Sequence, residues 1–291
     1  MRIAVTGKNG QVVQSLLARA DEGFEIIALG RPELDLAMPE TIFSALAAVQ
    51  PDFVISAAAY TAVDKAEDEP DLAYLINATG AEAVSDAAAK LNVPIIHIST
   101  DYVFDGSKSS PYLEVDLTNP KNIYGSSKLK GEQLVAAANP KHIIIRTSWV
   151  YSPYGINFLK TMLRLAGTHK EISVVSDQWG APTSAIELAT AIKHVVECIS
   201  RDAAFNSWGI YNFSGAGVTN WADFAREIFK HSSKLRNSSV NVIDIMTSDY
   251  HSKACRPKNS KISTDKFENE FKYTIPNWRV SLKEVLNVYD L

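Results

Sequence analysis

Apolar residues in the first half of the chain fall into short β-branched runs separated by longer stretches with helical periodicity. Arg2–Thr6, Glu25–Leu29, Phe53–Ser56, Pro94–Ser99 and His142–Thr147 each read as a short, largely buried strand. Between them, helices are predicted from Gly10 to about Ala20, over Pro39–Val49, over the Ala-rich Pro70–Leu91 and over Tyr124–Ala138. Strand–helix alternation of this kind predicts a Rossmann-like, doubly wound α/β fold: a parallel sheet with helices on both faces.

After about Trp149 the pattern loosens, and turn residues punctuate it, as in Ser152-Pro-Tyr-Gly155 and Asn212-Phe-Ser-Gly-Ala-Gly217. A smaller, mixed α/β lobe is expected over residues 151–291, covering the carboxyl ends of the strands, where open α/β sheets bind ligands. Residues 1–150 form the expected first domain. A segment around 184–212, including the helical Glu187–Ile199, is expected to return to it.

Composition narrows the classes. The 291 residues suffice for one large domain or two modest ones, and 46% hydrophobic with 21% charged residues is ordinary for a globular protein. A net charge of −4 gives no basic field for nucleic acid or an anionic membrane. No apolar run approaches the ~18 residues of a membrane span, and the strand-like Met1-Arg-Ile-Ala-Val-Thr leaves no room for a signal peptide. Cys198 and Cys255 are far apart, and the six His residues lack ligand-like spacing, so neither a disulfide nor a zinc site is indicated. The expected compartment is the cytoplasm.

Candidate chemistry gathers at the strand ends. Thr6-Gly7-Lys8-Asn9-Gly10-Gln11-Val12-Val13 joins the first strand to the first helix, where Gly-x-x-Gly lets the backbone approach a pyrophosphate. The third glycine of the usual pattern is Val13, expected to push the helix outward slightly; the alternative is a plain tight turn. The second strand ends Gly30-Arg31 without a carboxylate, so Arg31 is the candidate ligand of a 2′-phosphate and NADPH the expected cofactor. Nearby Glu33 leaves NADH open. Asp35 and Leu36 lie where an adenine edge would sit. Ala57, Ala58 and Ala59 after the third strand allow a flat cofactor to lie close, and Thr61 with Asp64 resembles a capping box. Ser99 and Thr100 put hydroxyls at the end of the fourth strand. Tyr124 and Lys128 stand one helical turn apart on one face, where a cation would favour the phenolate and draw its pKa down from ~10.

Together these segments resemble the extended short-chain dehydrogenase/reductase superfamily over nearly the whole chain. A closer resemblance is to its deoxysugar reductases, which complete dTDP-L-rhamnose. It is carried by Tyr124-Gly-Ser-Ser-Lys128, Arg146-Thr-Ser-Trp-Val-Tyr151, Asp177-Gln-Trp-Gly-Ala-Pro-Thr183 and Arg256-Pro-Lys-Asn-Ser260. The resemblance implies reduction of the C4 ketone of a nucleotide-linked sugar, with Thr100, Tyr124 and Lys128 catalytic. Tyr124 would donate the proton, and Lys128 would lower its pKa and hold the nicotinamide ribose. Gly7, Asn9, Gly10, Gln11, Val12, Arg31, Asp35, Leu36, Ala57, Ala58, Ala59, Thr61 and Ser99, with Tyr124 and Lys128, would line the cofactor. Val63, Thr100, Asp101, Tyr102 and Trp149 would surround the sugar. Some relatives hold magnesium between subunits through glutamates; this chain has Ser15 and Ile186 there, so no metal is expected, while a homodimer stays open. Another nucleotide-linked 4-ketosugar as substrate, or a non-catalytic NADP-binding regulatory subunit, are the alternative readings.

Overall fold

The computed structural model describes residues 1–232 and 240–290. β1 (Arg2–Thr6) leads into α1 (Gln11–Leu17), and β2 (Glu25–Leu29) leads into α2 (Ile42–Val49). β3 (Phe53–Ser56) is followed by α3 (Val63–Ala66), α4 (Pro70–Tyr74), a π-helical segment Leu75–Gly80 and α5 (Ala81–Lys90). Next come β4 (Ile95–Thr100), α6 (Ile123–Ala138), β5 (His142–Thr147), β6 (Val150–Tyr151), α7 (Phe158–Ala166) and β7 (Glu171–Val175). β8 (Trp179–Gly180), β9 (Thr183–Ser184), α8 (Ala185–Arg201), β10 (Gly209–Asn212) and β11 (Thr219–Asn220) precede α9 (Trp221–His231), β12 (Asn241–Ile245), α10 (Asp265–Phe271) and α11 (Trp278–Asp290).

Six strands form one parallel sheet in the order β10-β5-β4-β3-β1-β2. Strand order reverses at β1, so the crevice of this architecture opens over the carboxyl ends of β1 and β3. The two-residue alternation of a strand sorts the core. Ile3, Val5, Ile55, Ile96, Ile143 and Ile145 pack with Val13 and Leu16 of α1 and with α8. Ala4, Val54, Ile95 and Ile144 pack on the other face with Ile42, Leu46, Val84 and Val135. The expected doubly wound fold is thus present. A second core joins α7, α9 and α11 through Leu159, Met162, Phe224, Ile228, Leu282 and Val285, beside the parallel pair β7–β12.

Two local expectations differ. The long Ala-rich helix is interrupted by the π segment, and Asn77 within it bonds the backbone of Tyr60 at both ends of its amide and the Ser127 hydroxyl. A π segment widens the helix and lets one polar side chain serve a neighbouring loop. The capping box does not form: α3 has no side-chain cap, because the Asp64 carboxylate takes the Arg256 guanidinium and the Ala254 N–H instead. A charge-assisted bidentate pair outcompetes a neutral cap. Val13, in place of the third glycine, is 1% exposed and fills the core beneath the turn. Among the described residues no helix is long and apolar enough to cross a membrane.

Candidate active site

One cleft of about 1140 Å³ opens over the strand ends, and every position proposed from the sequence lines it, from Gly7 and Arg31 at one end to Tyr102 and Trp149 at the other. At the first end, Gly7 adopts φ +98°, a left-handed conformation that side chains disfavour. The Thr6 hydroxyl accepts the N–H groups of Ala57 and Ala58, holding the small-residue floor against this turn. Arg31 is exposed, and its guanidinium has no partner among the described residues. Glu33 is engaged: the Lys8 ammonium sits 2.6 Å from its carboxylate and holds its pKa below the usual range. The carboxylate that kept NADH open is therefore occupied by a lysine. Asp35 accepts the Ala37 N–H, and Leu36 is buried against the sheet.

At the other end α6 delivers Tyr124 and Lys128. Asn122 caps this helix by accepting the Gly125 N–H at 2.7 Å, which fixes Tyr124 in the first turn. Gly125 lets the helix close on the site, because a Cβ there would lie 2.2 Å from the Tyr102 carbonyl oxygen. The Tyr124 ring faces the cleft edge-on to Tyr102, with centroids 5.7 Å apart. Although it keeps some exposure to the cleft, the phenol stands deep among protein atoms. Burial pushes its pKa up to about 12, against the pull of the Thr100 hydroxyl, and the Asp101 charge pushes the same way.

This reverses one expectation. Lys128 shares a helix face with Tyr124 but does not lower its pKa. The ammonium, 2% exposed, turns to β4, donating to the Ile98 carbonyl at 2.7 Å and lying 3.2 Å from His97 Nε2. Burial draws the Lys128 pKa down to about 8, with the nearby Glu132 charge opposing. The buried carbonyl and ring are nearer acceptors than a neutral phenol, and they win the ammonium.

Thr100 accepts the Tyr102 N–H and donates to Asp101 Oδ1, each at 3.1 Å. Asp101 is 4% exposed, its Oδ2 has no hydrogen-bond partner at normal geometry, and burial raises its pKa to about 7 despite the Ser260 and Thr100 hydroxyls nearby. Ser99 lines the cleft, but its hydroxyl is committed to Glu132, donating to Oε1 at 2.5 Å. Trp149 carries a left-handed φ of +50° and stacks on Trp221, with ring centroids 3.7 Å apart and planes within 15°.

The profile of the RmlD substrate binding domain family matches residues 1–291, the full length. The chain belongs to this RmlD family. A relative named dTDP-4-dehydrorhamnose reductase from Sinorhizobium fredii is 48% identical over 286 residues, 98% of this chain and 97% of the relative. The crystal structure of the enzyme of that name from Clostridium acetobutylicum superposes with a TM-score of 0.92 at 37% identity, each chain covered completely. The Bacillus anthracis enzyme, solved in complex with NADP, gives 0.92 at 36% identity over 99% of each chain.

Several features of this RmlD-family site escaped the sequence reading. Lys8 seemed an anonymous turn residue, yet it fixes Glu33. Trp221 sits at the N-terminus of α9, remote in sequence from Trp149, and nothing local announces the stack. Gln11, expected only against the cofactor, also fastens the lobe: its Oε1 accepts from Ser152 and Asn157, and its amide donates to the Val150 carbonyl. Arg256, quoted only as part of a motif, pairs with Asp64 beside Val63 and Tyr102. His97 was one of six scattered histidines, although its alternation with Ile95 and Ser99 placed it on the face that α6 covers. Among the described residues no group of three His, Cys, Asp or Glu side chains is arranged to hold a metal.

Proposed function

We propose that this chain reduces the C4 ketone of dTDP-4-dehydro-β-L-rhamnose to dTDP-L-rhamnose with NADPH, the activity its relatives are named for. The observation that carries the reading is the meeting of Thr100, Tyr124 and Lys128 in one cleft of a chain matched end to end by named reductases. The residues present fit the dinucleotide. A left-handed Gly7 and the alanine floor admit its pyrophosphate, Arg31 offers a cation for a 2′-phosphate, and Lys128 would hold the nicotinamide ribose hydroxyls. When bound, NADPH supplies the hydride.

The protein's part is the proton and the charge. Raised by burial, the Tyr124 phenol is fully protonated at neutral pH, which is the form that can protonate the developing alkoxide. Lys128, its ammonium held by β4, serves the nicotinamide ribose rather than tuning the phenol. The Thr100 hydroxyl, bonded to Asp101 in the free site, turns to the ketone oxygen as negative charge develops there. Asp101 Oδ2 then accepts a sugar hydroxyl, while Val63, Tyr102 and Trp149 shape the pocket around the ring. Residues 1–150, with the segment around 184–212, would serve the cofactor and the remainder the substrate. Packing of α8 on α1 and pairing of β10 with β5 support that division. We place the reaction in the cytoplasm; both cysteines are free thiols.

Initial rates of NADPH oxidation with freshly made dTDP-4-dehydro-L-rhamnose, and with GDP- and UDP-linked ketosugars, test the reading. The dTDP sugar should be preferred. A preference for another nucleotide would reassign the substrate, and no oxidation with any sugar would leave a binding subunit. Arg31→Ala should raise KM for NADPH by about tenfold or more, the scale of one charge-assisted contact, with little change for NADH. Equal changes for both cofactors would remove the 2′-phosphate role.

A further inference from the structure

His97 lies buried behind the site against Lys128, yet the chemistry above gives it no task. It stands on β4, 1% exposed, and its ring bridges two other buried side chains. Nδ1 is 3.0 Å from Ser56 Oγ on β3, and Nε2 is 3.2 Å from Lys128 Nζ on α6. An ammonium can only donate, so Nε2 must accept. The proton of the neutral ring therefore sits on Nδ1, directed to the Ser56 oxygen. Burial and the Lys128 charge hold the ring well below its usual pKa, so it stays neutral and remains an acceptor.

Among the described residues no carboxylate bonds the Lys128 ammonium directly. Glu132, one turn further along α6, is committed to Arg146 of β5 and to Ser99. Tyr124 on α6 is neutral, Asp101 lies beyond it beside Thr100, and β3 offers only the Ser56 hydroxyl. The ammonium is held by one ring nitrogen and the Ile98 carbonyl, both from β4.

We propose that His97 is a positioning residue for Lys128: with its Nδ1–H met by Ser56 and Nε2 left to accept, it anchors the ammonium at the carboxyl end of β4 and keeps it charged. This rests on the reading of Lys128 given above. A charged Lys128 that supports turnover is lost as pH rises through its pKa, about 8 here. Removing an acceptor disfavours the charged form, so the alkaline limb of kcat should move to lower pH.

The test compares pH profiles of NADPH oxidation. His97→Asn, whose short amide reaches Ser56 but not Lys128, should lower kcat about tenfold or more and shift the limb acid, whereas His97→Gln, whose amide reaches the place of Nε2, should stay within about threefold. Ser56→Ala removes a single oxygen and leaves the buried Nδ1–H without an acceptor, which disfavours the tautomer that offers Nε2 to Lys128. It should shift the limb in the same direction, and it decides the matter if His97→Asn does not fold. Lys128→Met separates the two levels. If it keeps parental turnover, the reading of the site fails; if it is inactive while neither His97→Asn nor Ser56→Ala moves the limb, only the role of His97 is overturned.

Discussion

Replacing Tyr124 by Phe is expected to lower kcat by about 10²–10⁴-fold, the usual share of a positioned general acid, while NADPH still binds with near-parental affinity. That loss corresponds to about 3–5 kcal/mol of transition-state stabilisation. The substitution removes one oxygen from a ring held between Tyr102 and the cleft, so packing is preserved and the effect reads the proton. Because burial raises the phenol to about 12, the parent has no reservoir of tyrosinate to lose at neutral pH. The proton must come from the phenol itself or from water in the cleft. Steady-state kinetics with a fluorescence titration of NADPH check this. Near-parental kcat in the Phe variant would remove Tyr124 as donor.

The largest stability effect is expected at Arg146. Its guanidinium and the Glu132 carboxylate are 3% and 2% exposed and form a bidentate pair, Nε–Oε1 2.9 Å and Nη2–Oε2 2.7 Å. Ser99 donates to the same carboxylate, and the guanidinium lies 5.0 Å over the Phe104 ring. Arg146→Leu leaves Glu132 buried without its cation, which costs about 3–5 kcal/mol in such pairs. Replacing both residues by Leu should cost much less, because the penalty lies in the stranded charge rather than in the loss of attraction. Urea unfolding of the single and double variants measures the difference. A single variant within about 1 kcal/mol of the parent, the worth of an exposed pair, would show that the pair is not buried in solution. The same change should reduce turnover, since Ser99 precedes Thr100 and the pair ties β4 to α6 and β5.

How much of this was legible in the chain depended on range. β1, β2, β3 and β5 have the bounds read from their apolar runs; for β1, β3 and β5 a nearly fully buried parallel strand leaves little room for another pattern, and the edge strand β2 keeps its bounds although only partly buried. The Tyr124–Lys128 spacing placed both on one helix face, and hydroxyls at a strand end placed Thr100 in the same cleft. Direction was not legible. Lys128 turns to Ile98 and His97 because β4 presents acceptors there, which is a property of packing and not of spacing. The Lys8–Glu33 pair, the Trp149–Trp221 stack and the two-residue strands of the C-terminal half likewise arise from contacts between distant segments. Periodicity carries no record of these.

Reaction of the enzyme with NADPH deuterated at the transferable C4 position and dTDP-4-dehydro-L-rhamnose, followed by NMR of the product, tests the central claim most directly. The account predicts dTDP-L-rhamnose carrying one deuterium at sugar C4, formed in step with NADPH consumption. Unconsumed cofactor, or a product without deuterium at C4, would contradict it.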